Sequence, residues 1–323
     1  MPENRLPEHG MDARSIRERF AVSDEVVSAL PGAVGATSQE QYRAWRETLD
    51  PGARPVIEHL LPRIRREVGD QWPPPFMKRR AGHLDLSTEA LQQAVTALGP
   101  WGVPFRFGDG IEVMPGGMVE AVAARRYQFR RDLIGATLAE LLGDDLARTS
   151  VLDIGCNCGL FSLDLADRGA GHVLGVDLRP ANIAQAHFAA EHYGVERVDF
   201  EVHDVDAVGS AEQYDVVLNL GVLYHVVNPL QFVRQTYELC RRFAIIDTVC
   251  HLEPVSAYFL MGDKDVNRVT EGREVYELHP TYRAVIDTIR YAGFTDVFEI
   301  EGVAARPHDL YASGVRRCFL AIK

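Results

Sequence analysis

The spacing of apolar residues changes character near residue 150. Upstream it is helical: Ser15–Ser28 repeats apolar positions at a period near 3.6, Ser38 caps a run through Trp45, and Pro55–Val68 sets Val56, Leu60 and Ile64 on one face. Residues 12–100 therefore read as a helical layer, broken by two Pro-, Gly- and aromatic-rich segments, Gln71–Phe76 and Leu98–Gly110, in which regular helix is not possible. A long amphipathic helix, Val119–Leu142, follows. Downstream, short apolar strands at Ser150–Ile154, His172–Val176, Val198–Val202, Tyr214–Leu220, Arg242–Asp247, Val297–Glu301 and Arg317–Ile322 alternate with helical stretches at Leu160–Arg168, Pro180–Tyr193, Pro229–Leu239 and Pro280–Gly293. That alternation predicts an α/β domain with a doubly wound, seven-stranded, mostly parallel sheet and ligand at the carboxyl ends of its strands. The expected division is a helical N-terminal cap over residues 1–118 and a ligand-binding domain over 119–323.

Composition narrows the partners. Against 34 Lys and Arg stand 46 Asp and Glu, a formal net charge of −12, so the overall field repels nucleic acid and anionic membranes. Most of that acidity is downstream: residues 1–150 carry 19 basic and 21 acidic side chains, residues 151–323 carry 15 and 25. The basic clusters are Arg63, Arg65 and Arg66 with Lys78, Arg79 and Arg80, whose expected partners are Glu58, Glu67 and Asp70 on a solvated face. Five cysteines at irregular spacing do not form a disulfide framework, and no apolar run is long enough to span a bilayer, so a cytoplasmic, membrane-independent protein is expected. Cys156 and Cys158 have no second pair to complete a tetrahedral metal site, and no metal is expected.

The chemistry concentrates in four segments. In VLDIGCNCGLFS, Val151 to Ser162, Gly155 frees the turn after a strand and Gly159 lets a ligand approach a helix N-terminus. The dinucleotide fingerprint needs glycines at its first, third and sixth positions, which here hold Gly155, Asn157 and Leu160, so a nicotinamide cofactor is disfavoured. Asp153 within the strand suits a cationic ammonium group instead. Asp177 ends the next strand, where a carboxylate can accept ribose hydroxyls, and Leu178 follows it. The run Val202, His203, Asp204, Val205 can bracket an adenine, with Asp204 accepting from an exocyclic amine. Asn219 to Leu230, NLGVLYHVVNPL, closes the strand that would lie beneath the far end of such a cofactor.

Over residues 120–323 this order of segments resembles the class I S-adenosylmethionine-dependent methyltransferases. The resemblance implies S-adenosyl-L-methionine as cofactor, with Asp153, Gly155 and Asn157 along its methionine part, Asp177 on the ribose, Asp204 and Val205 at the adenine, and Leu220 and Gly221 beside the sulfonium. It also puts Arg126 or Tyr127 near the cofactor mouth, although charge on a solvent face is the simpler account of Arg125, Arg126, Arg130 and Arg131. LGVLYHVVNPL, Pro100–Phe105 and the tail RRCFLAIK resemble the tRNA wobble-uridine methyltransferases of the 5-carboxymethoxyuridine type, which use a carboxylated cofactor. On that finer likeness Tyr224 and Arg317 would hold a carboxylate. The chain departs from it after the tryptophan, where WGVPFRFGDG lacks that family's basic residues, and this favours ordinary S-adenosylmethionine.

Tyr224 and His225 follow the motif strand directly and are the candidate catalytic pair, to orient an acceptor or take its proton. Methyl transfer needs mainly in-line alignment, so a base is optional. The long stretch Thr248–Asn267 is expected to shape the acceptor pocket through His251 and Glu253, with Trp101 and Phe105 as further walls or as core. The sequence thus predicts a methyltransferase acting on a small aromatic or heteroaromatic biosynthetic acceptor. A wobble-uridine enzyme with a tRNA partner and a non-catalytic cofactor-binding subunit are the alternatives; the acceptor atom and the oligomeric state stay open.

Overall fold

The computed structural model describes residues 61, 63–67, 84, 86–108, 110–115, 120–204, 212–251, 253, 255–262, 276–303 and 309–323. The helices expected at Ser15–Ser28 and Ser38–Trp45, the Gln71–Phe76 segment, Lys78 to Arg80 and the adenine candidate Val205 lie outside them.

The centre is an eight-stranded sheet. Its strands are β1 (Arg63–Glu67), β4 (Ser150–Ile154), β5 (His172–Asp177), β6 (Val198–Val202), β7 (Tyr214–Leu220), β8 (Cys240–Val249), β11 (Asp296–Val303) and β12 (Arg316–Ile322), in the spatial order β1-β11-β12-β8-β7-β4-β5-β6. All pairings are parallel except those of β12 with β11 and β8. β4 and β7 read as almost unbroken apolar runs because helices cover both faces of a parallel sheet. The order turns back between β4 and β7, and this opens the crevice at their carboxyl ends where a ligand docks in such sheets.

Seven strands were expected and all seven are present. The eighth, β1, corrects the reading of Pro55–Val68 as helix. Ile64 is buried, while Arg63 and Arg65 meet Glu299 and Glu301 of β11 in register; Arg65 Nε donates to Glu301 at 3.1 Å. Cross-strand charge complementarity and a buried alternate residue override the helical spacing. Arg63 is accordingly a buried partner of Glu299 rather than part of a solvated basic face.

Two further antiparallel strand pairs lie outside this sheet: β2 (Phe105–Phe107) with β3 (Ile111–Val113), and β9 (Tyr258–Met261) with β10 (Glu277–Pro280). The helices are α1 (Thr88–Ala97), α2 (Glu120–Leu142), α3 (Leu160–Asp167), α4 (Pro180–Tyr193), α5 (Pro229–Leu239), α6 (Tyr282–Ala292) and the single turn α7 (Asp309–Ala312). Their ends follow local chemistry. Pro180 and Pro229 open α4 and α5, the Asn228 side chain accepts from Gln231 N–H, Thr281 caps α6, and Gly194 and Gly293 close α4 and α6 in left-handed conformations. None of the described helices is long and apolar enough to cross a membrane.

Candidate active site

The turn after β4 is tightly constrained. Gly155 has φ +69° and its N–H donates to Val176 O at 2.8 Å; a Cβ there would stand 2.4 Å from Val222 Cγ2, so only glycine fits. Gly159 begins α3 at φ +80°, packed against Phe200 and Ala186. Asp153 lies beneath the turn, fully buried, and accepts from Ser162 Oγ at 2.6 Å. Burial raises its pKa to about 6, with Ser162 and Arg130 only partly offsetting it. A buried carboxylate held this weakly is suited to a cationic ligand.

Asp177 ties three segments together. Its Oδ2 accepts from Asn157 N–H at 3.0 Å, and its Oδ1 from Arg179 N–H at 2.9 Å and from Asn182 Nδ2 at 3.0 Å. A carboxylate has about four acceptor sites, so these three bonds leave acceptor capacity on Asp177. Leu178 is half-buried beside it. The backbone N–H of His203 donates to Asp177 O at 2.9 Å, which draws the segment carrying Asp204 onto the same shelf. The His203 imidazole itself stands 3.6 Å from Glu201 at the surface.

Beyond β7 the character changes. Leu220 is buried and Gly221, at φ +89°, donates its N–H to Asp247 O at 2.7 Å. A Cβ on Gly221 would stand 2.6 Å from Arg316 Nη2 and 3.5 Å from the Tyr224 hydroxyl. Asp247, completely buried, receives Arg316 Nε and Nη2 at 2.6 Å each, Arg130 Nη2 at 3.1 Å and the Tyr311 hydroxyl. Burial alone would raise its pKa, but Arg316 and Arg130 outweigh burial and hold it below the usual carboxylate range. Arg126 adds a third guanidinium, its pKa lowered by burial and then by Arg316. Arg130 is thus buried against Asp247, and Arg131 against Asp164 at 2.8 Å, which overturns the solvent-face reading for these two, whereas Arg125 is exposed as that reading has it.

Arg317 requires a second correction. Side chains alternate across a strand, and Arg317 turns to Glu299, with which it is ion-paired and which also accepts from the Tyr282 hydroxyl at 2.9 Å. Arg316, one residue earlier, is the one beside Tyr224, with Nη1 3.5 Å from its hydroxyl. Trp101 and Phe105 are core rather than pocket wall. The Trp101 indole donates to Val95 O at 2.9 Å, and the two rings pack with Phe107. Their segment supports the shelf from outside, because Gly102 lies so close to Asn157 that a Cβ would stand 2.4 Å from Oδ1. Tyr127 donates to Gly102 O at 3.2 Å and fixes the same contact. Burial raises the Cys156 thiol and lifts that of Cys158 to about 12, so both stay protonated.

Tyr224 and His225 stand together, ring centroids 4.2 Å apart, on the 3-10 turn Leu223–His225. Two residues that sequence reasoning missed join them. Glu277 places Oε1 3.1 Å from His225 Nδ1 and Oε2 2.7 Å from His279 Nε2. His279 packs edge-on to Tyr224 at 5.6 Å and lies 5.8 Å from His251. His251 is buried with its pKa lowered to about 4, by burial and then by His279, and its Nδ1 stands 4.0 Å from Glu253, whose pKa burial raises. The available signal was the Glu277-Leu278-His279 alternation, which puts both polar residues on one face of β10. Asn219, at the end of β7, is also buried, and its side-chain amide has no partner among the described residues.

A family described as "Methyltransferase domain" matches residues 146–283. The ubiquinone biosynthesis O-methyltransferase of Ruegeria pomeroyi is 34% identical over 151 residues, 46% of this chain and 60% of that protein. Its counterpart in Cereibacter sphaeroides is 34% identical over 161 residues, 49% of this chain and 64% of that protein. The chain therefore spans less than two thirds of either relative. Among solved structures, the N-terminal domain of EvdMO1, crystallised in the presence of SAH and D-fucose, superposes with a TM-score of 0.54 at 18% identity, covering 75% of this chain and 98% of that one, a likeness of fold.

Proposed function

Residues 146–283 match a methyltransferase-domain family, and we propose that the protein is a class I S-adenosylmethionine-dependent methyltransferase that methylates a hydroxyl of a small aromatic biosynthetic acceptor. Bound S-adenosylmethionine would supply an electrophilic methyl group on a sulfonium. The observation that carries the reading is the run of Asp153, Asn157, Asp177, His203 and Gly221 along the carboxyl ends of β4, β5 and β7, where Asn157 and His203 are hydrogen-bonded to Asp177 and β4 pairs with β7 up to Asn219. It ends beside Tyr224 and His225. Asp153 would face the ammonium group, Asp177 the ribose, Leu178 and Asp204 the adenosine, and the Leu220–Gly221 turn the sulfonium. The O-methyltransferase relatives support a hydroxyl acceptor. Incubation with methyl-labelled S-adenosylmethionine and a panel of phenols, aromatic carboxylates and amines tests this. Label on phenolic oxygen is the expected result, and label confined to amines would overturn the hydroxyl assignment.

One observation favours a second reading, that of the wobble-uridine type. Arg130 and Arg316 share the Asp247 carboxylate beside the Gly221 turn, and a third guanidinium, Arg126, is close enough to Arg316, Arg130 and Tyr224 to feel their charges. Surplus buried positive charge suits an anionic group there, which a carboxylated cofactor would provide, with Arg316 in the role expected of Arg317. Direct competition between S-adenosylmethionine and its carboxylated form decides it: tighter binding of the carboxylated form favours the second reading.

A further inference from the structure

We propose that Glu277 is a positioning residue that holds His225 as the Nδ1–H tautomer, so that its Nε2 takes the proton of a hydroxyl acceptor. The inference deepens the methyltransferase reading and rests on it. Glu277 is 4% exposed in its side chain and His225 13%, so their 3.1 Å contact is shielded from water. The approach is out of line with the ring N–H, a slack that apo sites often show before substrate tightens them. A buried carboxylate beside one imidazole nitrogen attracts the proton to that nitrogen and leaves the other basic, the division of labour by which an acid orients a histidine base. The second carboxylate oxygen is fixed by His279 Nε2 at 2.7 Å, so Glu277 cannot swing away without losing that bond. Tyr224 lies against both imidazoles, and His251, neutral near physiological pH because its pKa is lowered to about 4, adds no competing positive charge behind His279.

The chemistry balances. As a lone pair of the acceptor oxygen bonds the methyl carbon, the carbon–sulfur bond breaks with its electron pair going to sulfur. The acceptor proton passes to His225 Nε2, and imidazolium later returns it to solvent. A base is useful only where the attacked atom carries a proton, so the device points to an O–H acceptor over a tertiary amine.

The test is nitrogen-15 NMR of the full chain labelled at histidine, with the His225 signals identified by their absence in His225→Asn. The wild-type protein is expected to show His225 protonated at Nδ1 and bare at Nε2, and Glu277→Leu to lose that preference. With a hydroxyl acceptor, Glu277→Leu should also lower kcat on the order of 10²-fold while cofactor affinity stays unchanged, and Glu277→Asp should restore part of the loss. The opposite tautomer in the wild-type protein, or an unchanged one in folded Glu277→Leu, overturns the proposal, and the wild-type spectrum decides even if that variant does not fold. Calorimetric titration of the same sample with S-adenosylmethionine separates the failures: no binding there overturns the methyltransferase reading, whereas a wrong tautomer overturns the role of Glu277 alone.

Discussion

The two sides of the crevice are built differently. On the β4–β6 side the shelf is made of backbone and short-range contacts: glycine turns, Asp177 bonded to residues 2, 5 and 20 positions away, and Ser162 reaching Asp153 across 9. On the β8–β12 side the wall is made of buried charge joined over long spans, 69 residues from Asp247 to Arg316 and 92 from Tyr224 to Arg316. The first side holds a shape and the second holds a charge pattern, so substitutions should cost them differently. A shelf glycine acts through sterics, whereas a wall carboxylate acts by leaving guanidiniums buried without a counter-charge.

The largest effect is expected on the wall. Asp247→Asn strands Arg130 and Arg316, and urea denaturation should show a loss of roughly 3–5 kcal/mol; a loss under 1 kcal/mol would mean that the wall is solvated and the contrast misplaced. Asp153 comes next. Its folded-state pKa of about 6 lies above the unfolded value near 3.8, so the folded protein binds the extra proton between those values. Stability of the cofactor-free protein should therefore fall as pH rises from 4 to 7, by about 3 kcal/mol through this group. Asp153→Asn should flatten that slope while weakening cofactor binding. His251 works in the opposite sense: depressed to about 4 from 6.5, it makes the fold less stable as pH falls from 6.5 to 4, and His251→Gln should remove that acid sensitivity. Gly155→Ala puts a Cβ where φ is +69° and Val222 is 2.4 Å away, and cofactor affinity should drop by about tenfold or more for 1–2 kcal/mol of strain. The smallest effect belongs to Trp101→Phe, which removes the indole bond to Val95 O for about 1 kcal/mol and leaves acceptor KM unchanged, since the ring is core.

The same contrast governs what could be read from the chain. The seven strands and the helices between them are written in local alternation and in capping residues such as Asn228 and Thr281. The shelf was legible because its residues lie at the ends of those strands. The wall was not: which of Arg316 and Arg317 meets Tyr224 depends on strand parity, and the Glu277–His279 alternation marks a strand face without revealing that it meets His225, 52 residues earlier in the chain. β1 escaped for a related reason, since its partner β11 lies more than 230 residues away and supplies the charges that make it a strand. Trp101 and Phe105 carried no signal to separate core from pocket; their burial and their packing with Phe107 do so.

The most direct test of the central claim, that the shelf binds S-adenosylmethionine, is calorimetric titration of the wild-type protein and of Asp177→Ala with that cofactor. One-to-one binding in the first and its loss in the second is the predicted result. Absence of binding to the wild-type protein, or full-strength binding to Asp177→Ala, would contradict the account.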